Sequence, residues 1–296
     1  MSIYWTFSKC SYDHCKFCAY ALISPKQIPS AEKIKEELDG EIERVRKGSQ
    51  QYVKIFNSGS YFALELPKWV KDLVKNYLIE KDCKKLRVEN YYDRVNWDEI
   101  RELVDLGFDL TISWGLEIAD NSRLKHIGKG TKVEELLQVM KMTKQLGVKN
   151  LVYVLAGLPG IPYEEFFNEY KRTVDWVHEQ KGIIDECSSL VYTPMRFTVF
   201  YKTEWLTDKF RVMDKHIWKQ CKEYAKSILN SEGIQTDFTE HQYWRYCHGK
   251  VYSEVHPKGT RKQSGKPTKF GHKTIEEKQQ EKEFIKQSKE KSGITS

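Results

Sequence analysis

From residue 3 to about residue 192 the chain alternates between short apolar runs and longer amphipathic stretches, and this alternation restricts its fold more than any other feature. The runs "IYWTFS", "YVKIFN", "KLRVEN", "LTISWGLE", "NLVYVLAG" and "ECSSLVYTP" read as strands. The stretches between them, from "SAEKIKEELDGEIERVRK" to "YEEFFNEYKRTVDWVHEQ", repeat their apolar residues at helical spacing. Ser30 is a suitable N-cap for the first, with Glu32 where the helix dipole favours an acid. Gly107 and Gly147 stand where two later helices should stop. Six strands alternating with five helices predict stacked βαβ units, hence an α/β fold whose parallel sheet is open or curled into a partial barrel. A complete eight-unit barrel takes about 250 residues, more than this stretch offers. Beyond Pro194 the pattern breaks: "MRFTVFYKTEWL" can be read as a further strand, "KHIWKQCKEYAKSILNSEG" as a helix and "IQTDF" as a short strand. The expected domains are a core barrel over 1–195, a C-terminal α+β appendage over 196–256 and a basic, partly disordered tail over 257–296.

Parallel α/β folds place their sites at the carboxyl ends of strands. Three of the seven cysteines, Cys10, Cys15 and Cys18, crowd into "KCSYDHCKFCAY" just past the first run, at that rim. The cysteine count is odd and the N-terminus lacks the basic and apolar regions of a signal peptide, which favours a reducing cytoplasm and thiols that bind metal or do chemistry. No apolar run is long enough to span a membrane, so no membrane partner is expected. Polar-flanked thiols in a loop are poor core residues. Zinc held by the Cys-x2-Cys pair with Cys10 and His14 is one reading. An iron–sulfur cluster with three protein thiolates, one iron left open for a substrate, is another. Cys83, Cys187 and Cys221 read as isolated packing residues.

The loop resembles the cluster motif of radical S-adenosylmethionine (SAM) enzymes, Cys-x3-Cys-x-aromatic-Cys. Phe17 takes the aromatic position, while the first spacing is four residues here. The resemblance continues in order along the strand ends. "NSGSYF" stands at the small-residue loop that receives the SAM amino group, through Ser58, Gly59 and Ser60. Glu89 of "RVEN" and Glu117 of "WGLEI" match polar positions that contact SAM, and Lys129 of "IGKG" matches a basic residue facing the SAM carboxylate. "LAGLPG" matches the Gly-Leu-Pro-Gly motif through Gly157, Pro159 and Gly160, and Tyr153 stands where several relatives carry an acidic ribose contact. The resemblance implies a partial (β/α)6 radical SAM barrel holding a [4Fe-4S] cluster on Cys10, Cys15 and Cys18. It also implies reductive cleavage of SAM to methionine and a 5′-deoxyadenosyl radical, which abstracts a hydrogen atom from the substrate.

Within the superfamily the sequence is similar to the branch of the elongator catalytic subunit and the tRNA methylthiotransferases, and most similar to the archaeosine-synthase radical SAM proteins. That likeness implies a C–N lyase step that converts a lysine-bearing 7-deazaguanine in tRNA to archaeosine. It also implies a partner transferase that attaches the lysine, and a reductant such as ferredoxin or flavodoxin. The charge distribution is compatible with RNA. Residues 257–296 carry eleven Lys or Arg against five Glu, so they hold +6 of the net +7. Tyr243, Trp244, Arg245, Tyr246 and Tyr252 mix stacking rings with basic residues, the make-up of a single-strand binding surface and equally of a face packed on the barrel. Thr274 with Glu277 has the form of a capping box. Two other classes stay open: a radical SAM enzyme of another tRNA modification or of a small molecule or peptide, and a non-catalytic iron–sulfur or zinc protein that binds nucleic acid.

Overall fold

The computed structural model describes residues 10, 12, 14–23, 28–57, 59–193, 195, 198–205 and 211–239, all within the unit Met1–Tyr246. Six strands form one parallel sheet in sequence order: β1 (Val53–Ile55), β2 (Lys85–Asn90), β3 (Asp109–Glu117), β4 (Lys149–Ala156), β5 (Glu186–Val191) and β6 (Gln235–Thr239). The helices are a single turn α1 (Tyr20–Ile23), then α2 (Ala31–Arg46), α3 (Lys68–Glu80), α4 (Trp97–Asp105), α5 (Asn121–His126), α6 (Val133–Gln145), α7 (Phe166–Glu179) and α8 (Lys215–Leu229). The result is a partial (β/α)6 barrel. Ser30 caps α2 by accepting from Lys33 N, and Gly107 and Gly147 take left-handed φ just past α4 and α6. The run "IYWTFS", the expected tail and the aromatic segment before it lie outside the described residues.

Alternation along the strands sorts side chains into two layers. Val53, Ile55, Leu86, Val88, Ile112, Trp114, Val152 and Val154 are buried toward the helices, where they meet Ile34, Leu38, Val74, Ile100, Met140, Phe166 and Val174. Trp114 Nε1 donates to Asn150 Oδ1 (2.9 Å), and the Asn150 amide donates to the carbonyls of Met140 and Ile183, which pins β3, β4 and α6 together. The opposite layer faces the barrel interior and carries polar groups.

Two elements differ from the sequence reading. "IQTDF" extends the main sheet: β6 pairs in parallel with β5, Glu186 opposite Gln235 and Leu190 opposite Thr239. Helix α8 makes the crossover, burying Trp218, Cys221, Ala225 and Leu229. Of the stretch read as a strand, "MRFTVFYKTEWL", the described residues from Val199 to Trp205 are helical, with Tyr201–Trp205 in wide turns begun by Thr198, whose hydroxyl accepts from Tyr201 N (3.2 Å). Its aromatic and β-branched content gave a strand signal that local capping overrides.

Candidate active site

One cavity of about 440 Å³ lies at the carboxyl ends of the strands. Its wall includes Cys10, Cys15, Phe17 and Cys18 from the N-terminal loop, Gly59 and Ser60 after β1, Glu89 at the end of β2, Glu117 at the end of β3, and Lys129 after α5. Ser58 lies outside the described residues.

The thiol loop is held from behind by the segment after α5. Lys16 N donates to Ile127 O (2.9 Å), and Tyr12 donates through its hydroxyl to Gly128 O (2.9 Å). On the other side Phe200 N donates to Lys16 O (3.1 Å). Burial pushes the Cys15 and Cys18 thiols up to about 12 and raises that of Cys10, against the pull of the Lys129 ammonium, and each of the three feels a neighbouring thiol or carboxylate. Such thiols stay neutral until a metal displaces the proton. Among the described residues no three His, Cys, Asp or Glu side chains converge tightly enough for a single metal ion. A four-iron cluster gives each thiolate its own iron, so its ligands stand further apart than those of one zinc, and three sulfurs on one cavity wall fit it.

Glu117 and Lys129 form a buried ion pair, Nζ to Oε1 2.5 Å, with exposures of 10% and 7%. Glu117 is the last residue of β3 and has φ +63, past a register shift between Gly115 and Glu117. That left-handed turn brings the carboxylate back over Gly115, where a Cβ would stand 2.3 Å from Lys129 Nζ. Strained non-glycine residues cluster at active sites and ligand clamps. Ser60 has a positioning bond of its own: its Oγ accepts from Tyr91 N (2.8 Å), while Tyr61 N donates to Glu89 O (2.9 Å).

Glu89 is half-buried and faces the cavity. Burial raises its carboxyl to about 7, opposed by a hydrogen bond from Tyr153, with Glu117 raising it further and Lys129 lowering it. Tyr153, two strands away on β4, thus meets the acid across β3. Because the folded value lies above the ordinary one of 4.5, Glu89 favours the folded state below pH 4.5 and loses that contribution as pH rises through 7. Glu89→Gln is expected to be more stable than the parent at pH 8, by on the order of 2–3 kcal/mol, and to show no such advantage at pH 4. Thermal melting at the two pH values checks this, and parallel curves would refute it.

Gly157 and Pro159 stand apart from this cavity. Gly157 (φ +75) packs on Met213 and Phe166, and Pro159 is buried. Gly160 sits against His126 beside a second cavity, about 540 Å³, lined by Pro162, Tyr163, Phe166 and Arg211. Cys83, Cys187 and Cys221 are buried away from the thiol loop. Cys187 and Ser189 lie on the helix side of β5, and Ser189 bonds to Tyr170 of α7 (2.7 Å). Sequence reasoning missed Tyr12, Ser113, Lys54, Arg87 and Asp237, which also line the cavity. The readable signal was a charge inside an apolar strand, as in "VKI" and "LRV", since buried parallel strands are otherwise apolar throughout.

A parallel half-barrel with three thiols, an ion pair and a half-buried acid around one cavity suits a metal cluster. The radical SAM superfamily profile matches residues 6–172, and the chain belongs to that superfamily. The family uses a [4Fe-4S] cluster and SAM, and these are the chain's cofactors. The chain is 25% identical over 166 residues to archaeosine synthase subunit beta of Methanosarcina acetivorans, across 54% of this chain and 48% of that one. It is 26% identical over 156 residues to an uncharacterized protein of Methanocaldococcus jannaschii, across 52% and 29%. The chain thus spans less than half the length of these curated relatives. Among solved structures, SuiB of Streptococcus suis bound to SAM shares the fold, with TM-score 0.54 and 14% identity over 79% of this chain and 48% of that one.

Proposed function

We propose that this radical SAM enzyme modifies a nucleobase in tRNA, and in particular that it releases archaeosine from a lysine-bearing 7-deazaguanine by breaking a C–N bond. The observation that carries the reading is the likeness to archaeosine synthase subunit beta over about half of the chain, in a protein whose described residues place three thiols on one cavity. In this reading Cys10, Cys15 and Cys18 hold the cluster and Phe17 shields it. Ser58, Gly59, Ser60, Glu89, Glu117 and Lys129 line the SAM pocket. Gly157 and Pro159 act through the loop they shape. Bound there, the cluster and SAM supply the radical that takes a hydrogen atom from the substrate.

The chain's own residues position and enclose. Lys129 offers its ammonium to a carboxylate while Glu117 holds that ammonium in place. Glu89, kept partly protonated at neutral pH, donates or accepts at its free oxygen as the partner requires. The stacked rings of Tyr12 and Tyr91, 5.0 Å apart, wall off the cavity beside the thiols. A lysine-attaching transferase supplies the substrate, a ferredoxin or flavodoxin supplies the electron, and all of them work in the cytoplasm; among the described residues no helix is long and apolar enough to cross a membrane.

Mass spectrometry of tRNA nucleosides with and without the gene is the test. Loss of archaeosine with accumulation of the lysine adduct is expected, and an unchanged nucleoside profile would refute the tRNA reading. Removing residues 257–296 is expected to weaken tRNA binding and flatten its salt dependence, because those residues carry most of the net charge. Uncoupled SAM cleavage should persist in the truncated protein, since the cavity's thiols, Glu89, Glu117 and Lys129 all belong to the retained part of the chain.

A further inference from the structure

Two charged residues of the cavity wall have no place in the SAM pocket. Lys54 projects from β1 and Asp237 from β6, the two outermost of the six strands, and both line the cavity that holds the thiols. Lys54 is half-buried, on the opposite face of β1 from the buried Val53 and Ile55, and Asp237 is exposed. The charges around it are already engaged. Arg87, the nearest strand neighbour, is bound by both carboxylate oxygens of Glu186 (2.5 and 2.6 Å) and stacks on Tyr52 (4.7 Å). Glu41 is occupied by Arg44 and by Gln50 (2.6 Å). The Asp237 carboxylate accepts from the backbone of Phe238 (2.9 Å). Among the described residues, then, no carboxylate is paired with the Lys54 ammonium and no cation with Asp237, although the two sense each other across the interior.

A half-buried ammonium and an exposed carboxylate that face one cavity without a protein partner are open to a ligand's opposite charges. A wall needed only for packing would carry an aliphatic residue, as β4 and β5 do at Leu151, Leu155 and Leu190. We propose that Lys54 and Asp237 form a substrate subsite for a zwitterionic, amino-acid-like group, with its carboxylate on Lys54 and its ammonium on Asp237. The charges of the interior favour this over a phosphate. Among the described residues a dianion would find Lys54 as the one cation there without a carboxylate partner and would face Asp237 and Glu89. The hydroxyls of Ser188 and Thr239, on the same wall as Asp237, add neutral hydrogen-bonding groups. The proposal rests on the cavity being the enzyme's substrate site and adds the substrate group it selects.

The test uses the full chain, anaerobically reconstituted, with three probes of one chain length: L-norleucine, hexanoate (carboxylate alone) and pentylamine (ammonium alone). Binding is read by saturation-transfer NMR and titration calorimetry. Norleucine is expected to bind at least about tenfold more tightly than either single-charge probe. Lys54→Met should remove that preference. Lys54→Arg should keep the preference, and Asp237→Asn should erase the advantage over hexanoate. Uncoupled SAM cleavage should be unchanged in all three. Equal binding of norleucine and hexanoate by the parent, norleucine binding unaltered in Lys54→Met, or competition by inorganic phosphate alone would overturn the subsite. Should the nucleoside profile of tRNA stay unchanged while the norleucine preference holds, the tRNA reading falls and the subsite stands for another substrate carrying the same group.

Discussion

Alanine at any one of Cys10, Cys15 and Cys18 is expected to leave a folded protein that no longer holds four irons and no longer cleaves SAM above background. The three thiols line one cavity wall, and the described residues offer no other thiol there to replace a lost one. A cluster on three protein ligands presents one open iron. With two ligands it has neither the geometry nor the retention to do so. The matching controls are Cys83→Ala, Cys187→Ala and Cys221→Ala, whose side chains are buried outside the cavity. These should keep full iron and cost only stability, on the order of 1 kcal/mol each. Iron and sulfide per chain after anaerobic reconstitution, with 5′-deoxyadenosine counted by chromatography, give the answer. Full iron and full cleavage in a Cys15→Ala protein would remove the thiol loop from the site.

The sequence was most readable where a local physical rule acts alone. Ser30 caps α2 and Gly107 ends α4 because an unsatisfied N–H and a left-handed residue need particular side chains. The convergence of Cys10, Glu89, Glu117 and Lys129 could be anticipated because strand ends of a parallel sheet meet at one rim. Placement of "IQTDF" beside β5 could not, since a five-residue run states no partner; α8 decides it by packing on α7 and carrying the chain across. Lys54, Arg87 and Asp237 escaped for another reason. Each is an ordinary charged residue until the barrel turns its face inward, and that depends on register, which a single strand does not encode. Gly157 and Pro159 are the converse case. Their motif is recognisable, yet their side of the loop packs on Met213 and Phe166 instead of lining the cavity.

Gly128→Ala is expected to strip the cluster from a protein whose barrel is otherwise intact. Gly128 has φ +73, and a Cβ there would stand 2.3 Å from the carbonyl oxygen of His14. That atom is backbone of the thiol loop, one residue before Cys15, so a rotamer change cannot relieve the contact. The loop must move, and it is tied to this segment by Lys16 N to Ile127 O and by the Tyr12 hydroxyl to Gly128 O. Moving it breaks both bonds. A shift of about 1 Å at a reacting centre can cost on the order of a hundredfold in rate. Backbone strain by itself is the competing explanation, and Gly147→Ala separates the two. Gly147 has φ +78 with nothing within 4 Å of its would-be Cβ, so alanine there brings the same left-handed penalty, about 1 kcal/mol, without touching the loop. Circular dichroism should show both variants folded. Iron per chain and SAM cleavage should be normal in Gly147→Ala and collapse in Gly128→Ala. Equal iron in the two would mean that the segment after α5 does not support the thiol loop.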